Sequence, residues 1–200
     1  MHPSLIILLV GLIYLLGFGA LSFMRRQGLS LPFAIEGLII TAVGALLALV
    51  VPIHPLFFFA VLYLVTLRVR LLVDLGNWLT SRGQYERALD LYRFIMRLRP
   101  DQVSRQIVLI NHGVALLLTR KPEDAYLTLE AALIDERIQA GAKYLAAGYY
   151  NLGLACSRTG RHAEATRRFN EAIDTLPTSI YAHGARQALK KRKTSDSDKD

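Results

Sequence analysis

Charge is scarce in this 200-residue chain and unevenly spread: Asp, Glu, Lys and Arg make up 20% of it, yet before Arg68 only Arg25, Arg26 and Glu36 are charged. The net charge of +8 therefore belongs almost wholly to the part from Arg68 onward. The lone cysteine, Cys156, excludes an internal disulfide. It falls on an apolar helical position and is expected to be a buried thiol acting as a small hydrophobe, which is compatible with a reducing compartment without demanding one. Patterns that carry chemistry are missing as well. The histidines, His2, His54, His112, His162 and His183, share no metal-ligand spacing. No glycine-rich phosphate loop joins a strand to a helix, and no serine or cysteine nucleophile motif occurs. These absences argue against an enzyme and imply no cofactor and no metal. The basic residues are scattered through helical patterns without a nucleic-acid-binding signature, so nucleic acid is not an expected partner; an anionic membrane surface accounts for the basic balance more simply.

Long apolar runs are what the first third does contain. Ser4 to Met24 form one of about 20 residues, enough to cross a hydrocarbon layer of roughly 30 Å. A cleaved signal peptide is the alternative, with Ala20-Leu21-Ser22 as a small-x-small site; against it, no Lys or Arg precedes the run and further apolar runs follow. Beyond a basic loop at Arg25 and Arg26 lies a second run, about 34–51, in which Gly37, Thr41, Gly44 and Ala48 recur at helical spacing. This is either a stripe for close helix packing or ordinary membrane filler. Glu36 is expected to reach the interface or to pair with Arg25 or Arg26, rather than to act as a functional carboxylate within the membrane. A third run, about 53–67, is short for a span, but Arg68 and Arg70 can snorkel their charges to the interface. No helix breaker follows it, so one rod from Pro55 to about Ser81, about 40 Å long, is expected. Three spans put Arg25, Arg26, Arg68 and Arg70 on one side, and basic residues beside spans favour the cytoplasm. Residues 1–67 are thus read as a multi-pass domain of the cell inner (plasma) membrane with the amino terminus outside, and 68–192 as a cytoplasmic domain.

The second part is periodic. Tyr149, Leu152, Gly153 and Cys156 lie on one helical face and Ala165, Phe169 and Ala172 on another. Between them Gly160 can end a helix in the left-handed conformation, and Pro177 stops the second helix. Two antiparallel helices follow, with Gly153 and Ala165 allowing close approach. In the same register, Leu75, Gly76, Leu79, Gly83, Tyr85, Ala88, Tyr92 and Pro100 form an earlier copy, and Gly113, Leu116, Ala125, Leu129 and Ala132 a weaker one between. These residues resemble the roughly 34-residue tetratricopeptide repeat; His112, Pro122 and Arg137 depart from its pattern. Gly76, Gly113 and Gly153 are 37 and 40 residues apart, so the connections between repeats are expected to carry insertions of 3 and 6. The expected fold is all-α: transmembrane helices, then an α-solenoid of three tetratricopeptide helix pairs (about 69–102, 106–139 and 146–179), a capping helix at 178–192 that turns Ile180, Ala185 and Leu189 inward, and a disordered tail at 193–200.

The resemblance implies a protein-binding scaffold or assembly factor at the membrane, whose concave groove is lined by Arg70, Val73, Asn77, Thr80 and Ser81 from the first repeat. The second supplies Ile107, Ile110, Asn111, Val114, Leu117 and Leu118, and the third Ala147, Tyr150, Asn151, Leu154, Ser157 and Arg158. The apolar middle suits a helical or apolar segment of a protein partner; alternatively, a shifted register turns those side chains onto the repeat's own second helix. Relatives that clamp the acidic tails of heat-shock chaperones have asparagines matching Asn77 and Asn111. Here, however, Val73, Ala147 and Asn151 stand where that clamp needs cations, so the activity is not carried over. The alternative function is an accessory subunit of a membrane complex or transporter, in which the spans do the work and the repeats only dock.

Overall fold

The computed structural model describes residues 2–24, 31–135, 137–138 and 140–197, with side chains as far as Arg192. Every regular element among them is a helix. The chain divides into two compact units, Met1–Leu71 and Leu72–Asp200.

The first unit packs α1 (Pro3–Met24), α2 (Leu31–Leu47) and α3 (Pro55–Thr66) around Ile7, Tyr14, Ala48, Phe58 and Leu62. Its close contacts run through residues with little or no side chain. A Cβ on Gly11 would overlap Thr41, one on Gly37 would come within 2.5 Å of Leu15, and one on Gly44 within 2.5 Å of Phe58. The stripe of Gly37, Thr41, Gly44 and Ala48 is therefore a packing surface, along which α2 runs antiparallel to α1. Thr41 hides its hydroxyl by donating to the Gly37 carbonyl at 2.7 Å. α3 starts at Pro55, where the missing N–H costs nothing, and His54 accepts from the Leu56 N–H to cap it. The Tyr14 and Thr66 hydroxyls meet at 2.7 Å, so α3 ends level with the middle of α1.

Arg25 and Arg26, the loop partners expected for Glu36, lie outside the described residues; Arg68 is the partner the structure gives Glu36. Its two carboxylate oxygens both accept from Arg68 at 2.7 Å. Arg68 also donates to the Val65 carbonyl, and Thr66 donates to Leu62. The Arg68 side chain thus occupies the Val65 carbonyl, which a continuing helix would offer to the Val69 N–H, while a threonine hydroxyl bonded one turn back favours a bend. The expected single rod is accordingly broken at Leu67: α3 and α4 (Arg68–Ser81) are bent by 67°.

The second unit continues with α5 (Tyr85–Arg97), α6 (Gln102–Leu118), α7 (Pro122–Leu133), α8 (Ala142–Arg158), α9 (His162–Thr175) and α10 (Ile180–Ser197). One contact recurs in each helix pair. A side chain on Gly76 would strike Tyr92, on Gly113 Leu129, and on Gly153 Phe169, so glycine lets the first helix of a pair touch the large residue of the second. Left-handed residues close the three pairs: Gly83, Gly160 and, in the middle repeat, Arg120 at φ 60°. The extra residues are not all in the connections. Gly76 is the ninth residue of α4, whereas Gly113 and Gly153 are each the twelfth of α6 and α8. Three residues therefore lengthen the start of each later helix, and only the remainder of the second insertion enters the α7–α8 connection. Within α10 it is Ala182 and Ala185 that are fully buried while Ile180 is exposed, so Ala182 takes the place expected of Ile180. Gly184 packs on Tyr150 of α8. The α10 backbone runs to Ser197, past the expected end at 192; Asp198 to Asp200 lie outside the described residues.

Candidate functional site

The candidate groove residues divide by burial. Val73, Ile110, Leu117, Ala147 and Asn151 are buried, while Arg70, Leu118 and Arg158 are exposed. Asn77, Ile107, Asn111, Val114, Tyr150 and Leu154 are half-buried, as are Thr80 and Ser157; Ser81 is exposed. Gly148 explains the burial of Ile110: a Cβ there would lie 3.3 Å from the Ile110 side chain, so α8 presses closely on α6.

The asparagines are already engaged. Asn77 accepts from the Tyr92 hydroxyl at 2.8 Å, whereas Asn111 and Asn151 donate to Ile107 and Ala147 one turn back on their own helices. Tyr150 sits between Phe169 and Tyr181, with ring centroids 6.0 and 6.1 Å away. What the fold brings together at the surface is Leu118 and Arg158, which border an open depression with Leu117, Arg120 and Pro122. Arg158 donates to the Leu117 carbonyl at 2.9 Å, tying the end of α8 to the end of α6. The surface thus offers apolar area beside a guanidinium, without a nucleophile. Among the described residues no group of His, Cys, Asp and Glu could hold a metal ion.

Two titratable groups have environments set by burial. The His112 imidazole is held below its ordinary pKa by burial and by the Arg93 charge. The Cys156 thiol is pushed up to about 11, by burial first and then by the Glu164 carboxylate; it stays protonated and unreactive at neutral pH.

No pattern in the sequence marks Gln106, which is buried and bridges two chain segments. It donates to the Ala132 carbonyl and accepts from the Ala140 N–H, each at 2.9 Å. Its amide therefore holds the long α7–α8 connection against α6. Arg161 was likewise unmarked: it lies 4.2 Å over the Tyr126 ring and pairs with Glu123, linking α9 to α7.

Three glycine-pinned helix pairs followed by a covering helix define a tetratricopeptide fold. Among solved structures, the TPR domain of Sgt2 from Aspergillus fumigatus matches at a TM-score of 0.53 and 22% identity, over 66% of this chain and 83% of that one. The first TPR domain of the human RPAP3 protein, an NMR structure, matches at a TM-score of 0.49 and 21% identity, over 64% and 96%. The likeness to the Sgt2 domain is one of fold. No family model and no curated protein sequence matches this chain.

Proposed function

We propose that the chain is an integral membrane protein whose first unit is embedded in the bilayer and whose repeats hold another protein at the cytoplasmic face of the cell inner (plasma) membrane. The observation that carries this reading is the outer surface of the first unit. Leu5, Ile13 and Leu16 on α1, Leu38 and Leu46 on α2, and Leu56, Phe57 and Leu64 on α3 are all exposed. A soluble protein avoids apolar area on that scale, whereas hydrocarbon chains cover it without cost. Among the described residues α1 alone is long and apolar enough to cross as one helix; α2 is shorter, and α3 with α4 qualifies only as a broken pair. At about 1.5 Å per residue the three apolar helices rise about 33, 25 and 18 Å, so the third crossing ends early. α1 and α3 point the same way, and in this reading the amino terminus lies outside.

The partner's helical or apolar segment would lie on Ile107, Val114, Leu118 and Leu154, with Arg158 at its edge. The experiment is a capture from mild detergent by full-length protein and by a chain lacking 72–200. Loss of partners in the shortened chain supports the scaffold; retention favours the accessory-subunit reading, in which the first unit does the work.

A further inference from the structure

Glu36 and Arg68 form an ion pair inside the first unit, and it leaves hydrogen-bonding capacity unused. Nη1 of Arg68 donates to both carboxylate oxygens of Glu36 and to the Val65 carbonyl, each at 2.7 Å. The N–H groups of Nε and Nη2 have no partner among the described residues. The two side chains remain 33% and 39% exposed, and they border an open cleft of about 690 Å³. Leu31, Ile35, Ile39 and Val65 supply apolar wall to that cleft and are themselves exposed. Next to Glu36, Gly37 meets Leu15 of α1. Leu15 lies about 18 Å along that helix from Pro3 and about 13 Å from Met24, so the ion pair is level with the middle of α1.

We infer that two copies of the chain pair within the bilayer across this cleft, each Arg68 donating its spare N–H groups to Glu36 of the other copy. The inference rests on the membrane reading above and deepens it. In that reading the open side of a charged pair faces hydrocarbon near mid-depth, where leaving it uncovered is costly. Two features select a second copy as the cover. Lipid supplies no acceptor there, because its polar groups lie in the interfacial layers outside the hydrocarbon core. A two-fold axis along the bilayer normal, by contrast, brings equal depths together, and the same patch serves both sides of such a contact. Glu36 and Arg68 stand side by side on different helices, so that axis sets each carboxylate opposite the other copy's guanidinium. Charges then alternate around a closed ring in which each carboxylate accepts from both guanidiniums, while Ile35 and Ile39 cover their counterparts.

Crosslinking reads the pairing. Full-length protein carrying Cys156→Ala is reconstituted at high lipid dilution in phosphatidylcholine–phosphatidylglycerol vesicles, with resistance to an alkaline carbonate wash as the separate measure of embedding. Ile35→Cys, on the cleft, should give mostly disulfide-linked dimer on oxidation with copper phenanthroline. Leu16→Cys, at the same depth on the exposed side of α1, should give little. Glu36→Arg and Arg68→Glu, each added to Ile35→Cys, should lower the dimer by about tenfold when alone. Mixing those two chains should restore it, since the mixture again sets opposite charges across the axis; a role for the ion pair within one chain predicts no such rescue. Wash-resistant protein that crosslinks equally through Ile35→Cys and Leu16→Cys, or through neither, overturns the pairing and leaves the membrane reading standing. So does dimer that survives either charge reversal alone, or that the mixture fails to restore. Loss of the parent chain in the wash overturns the membrane reading and the pairing together.

Discussion

At the scale of single residues, the middle repeat carries the unusual choices. Arg120 occupies a left-handed turn that the flanking repeats give to glycine, a conformation costing an ordinary residue roughly 1–2 kcal/mol. Arg120→Gly should therefore stabilise the repeat unit by about 1 kcal/mol, read from denaturant protection of the buried Cys156 thiol. Gln106 has the opposite sign: Gln106→Ala strands the Ala132 carbonyl and the Ala140 N–H, which should cost about 1–3 kcal/mol. Hydrogen exchange at Ala140 should accelerate; if it keeps its protection, the bridge is not what holds the connection. His112 adds a pH dependence. Its folded pKa lies below the unfolded value because burial, then Arg93, disfavours the imidazolium. In the interval between the two values the unfolded chain binds the extra proton, so stability rises with pH. The neutral ring's contribution is complete above about 6.5 and is lost as pH falls from there through the folded value. His112→Leu should remove that slope, and equal acid sensitivity of the two proteins would sink the assignment.

At the scale of elements, helix periodicity was legible, and so was Gly153 as a point of close approach, repeated in register at Gly76 and Gly113. The break at Leu67 was not, because no proline or glycine marks it; the carboxylate that holds Arg68 comes from Glu36, 32 residues away in the chain. The spacing of Gly76 and Gly113 likewise revealed three extra residues but not that they extend α6. The break changes what proline should do at Val69. Inside a continuous rod it would cost about 3 kcal/mol or more. Val69 instead lies in the first turn of α4, where a missing N–H is tolerated. Val69→Pro should leave thermal unfolding nearly unchanged, whereas a loss on the scale of a mid-helix proline would restore the rod.

At the scale of the whole molecule, the candidate face was legible as a set of angles around each helix, and burial then depended on neighbours that sequence register does not specify. Ile110 faces α8 because Gly148 lets that helix come close, while Val114 and Leu118 keep surface. Ile110→Asp should unfold the repeat unit by burying an unpaired carboxylate. Val114→Asp with Leu118→Asp should leave it folded and abolish partner capture; capture unchanged in that folded variant would remove the face from the function. The glycine contacts also decide where the chain tolerates a change of length. Each pair is fastened near its turn by a glycine contact, so residues added at the very start of α6 or α8 overhang by about 1.5 Å each without rotating the side chains that follow. One residue inserted between that fastening and its turn would instead swing the second helix's large side chain by about 100° away from the glycine it meets. Added length is thus tolerated at the start of the first helix and not between the fastening and its turn, and α6 and α8 have both grown at the start.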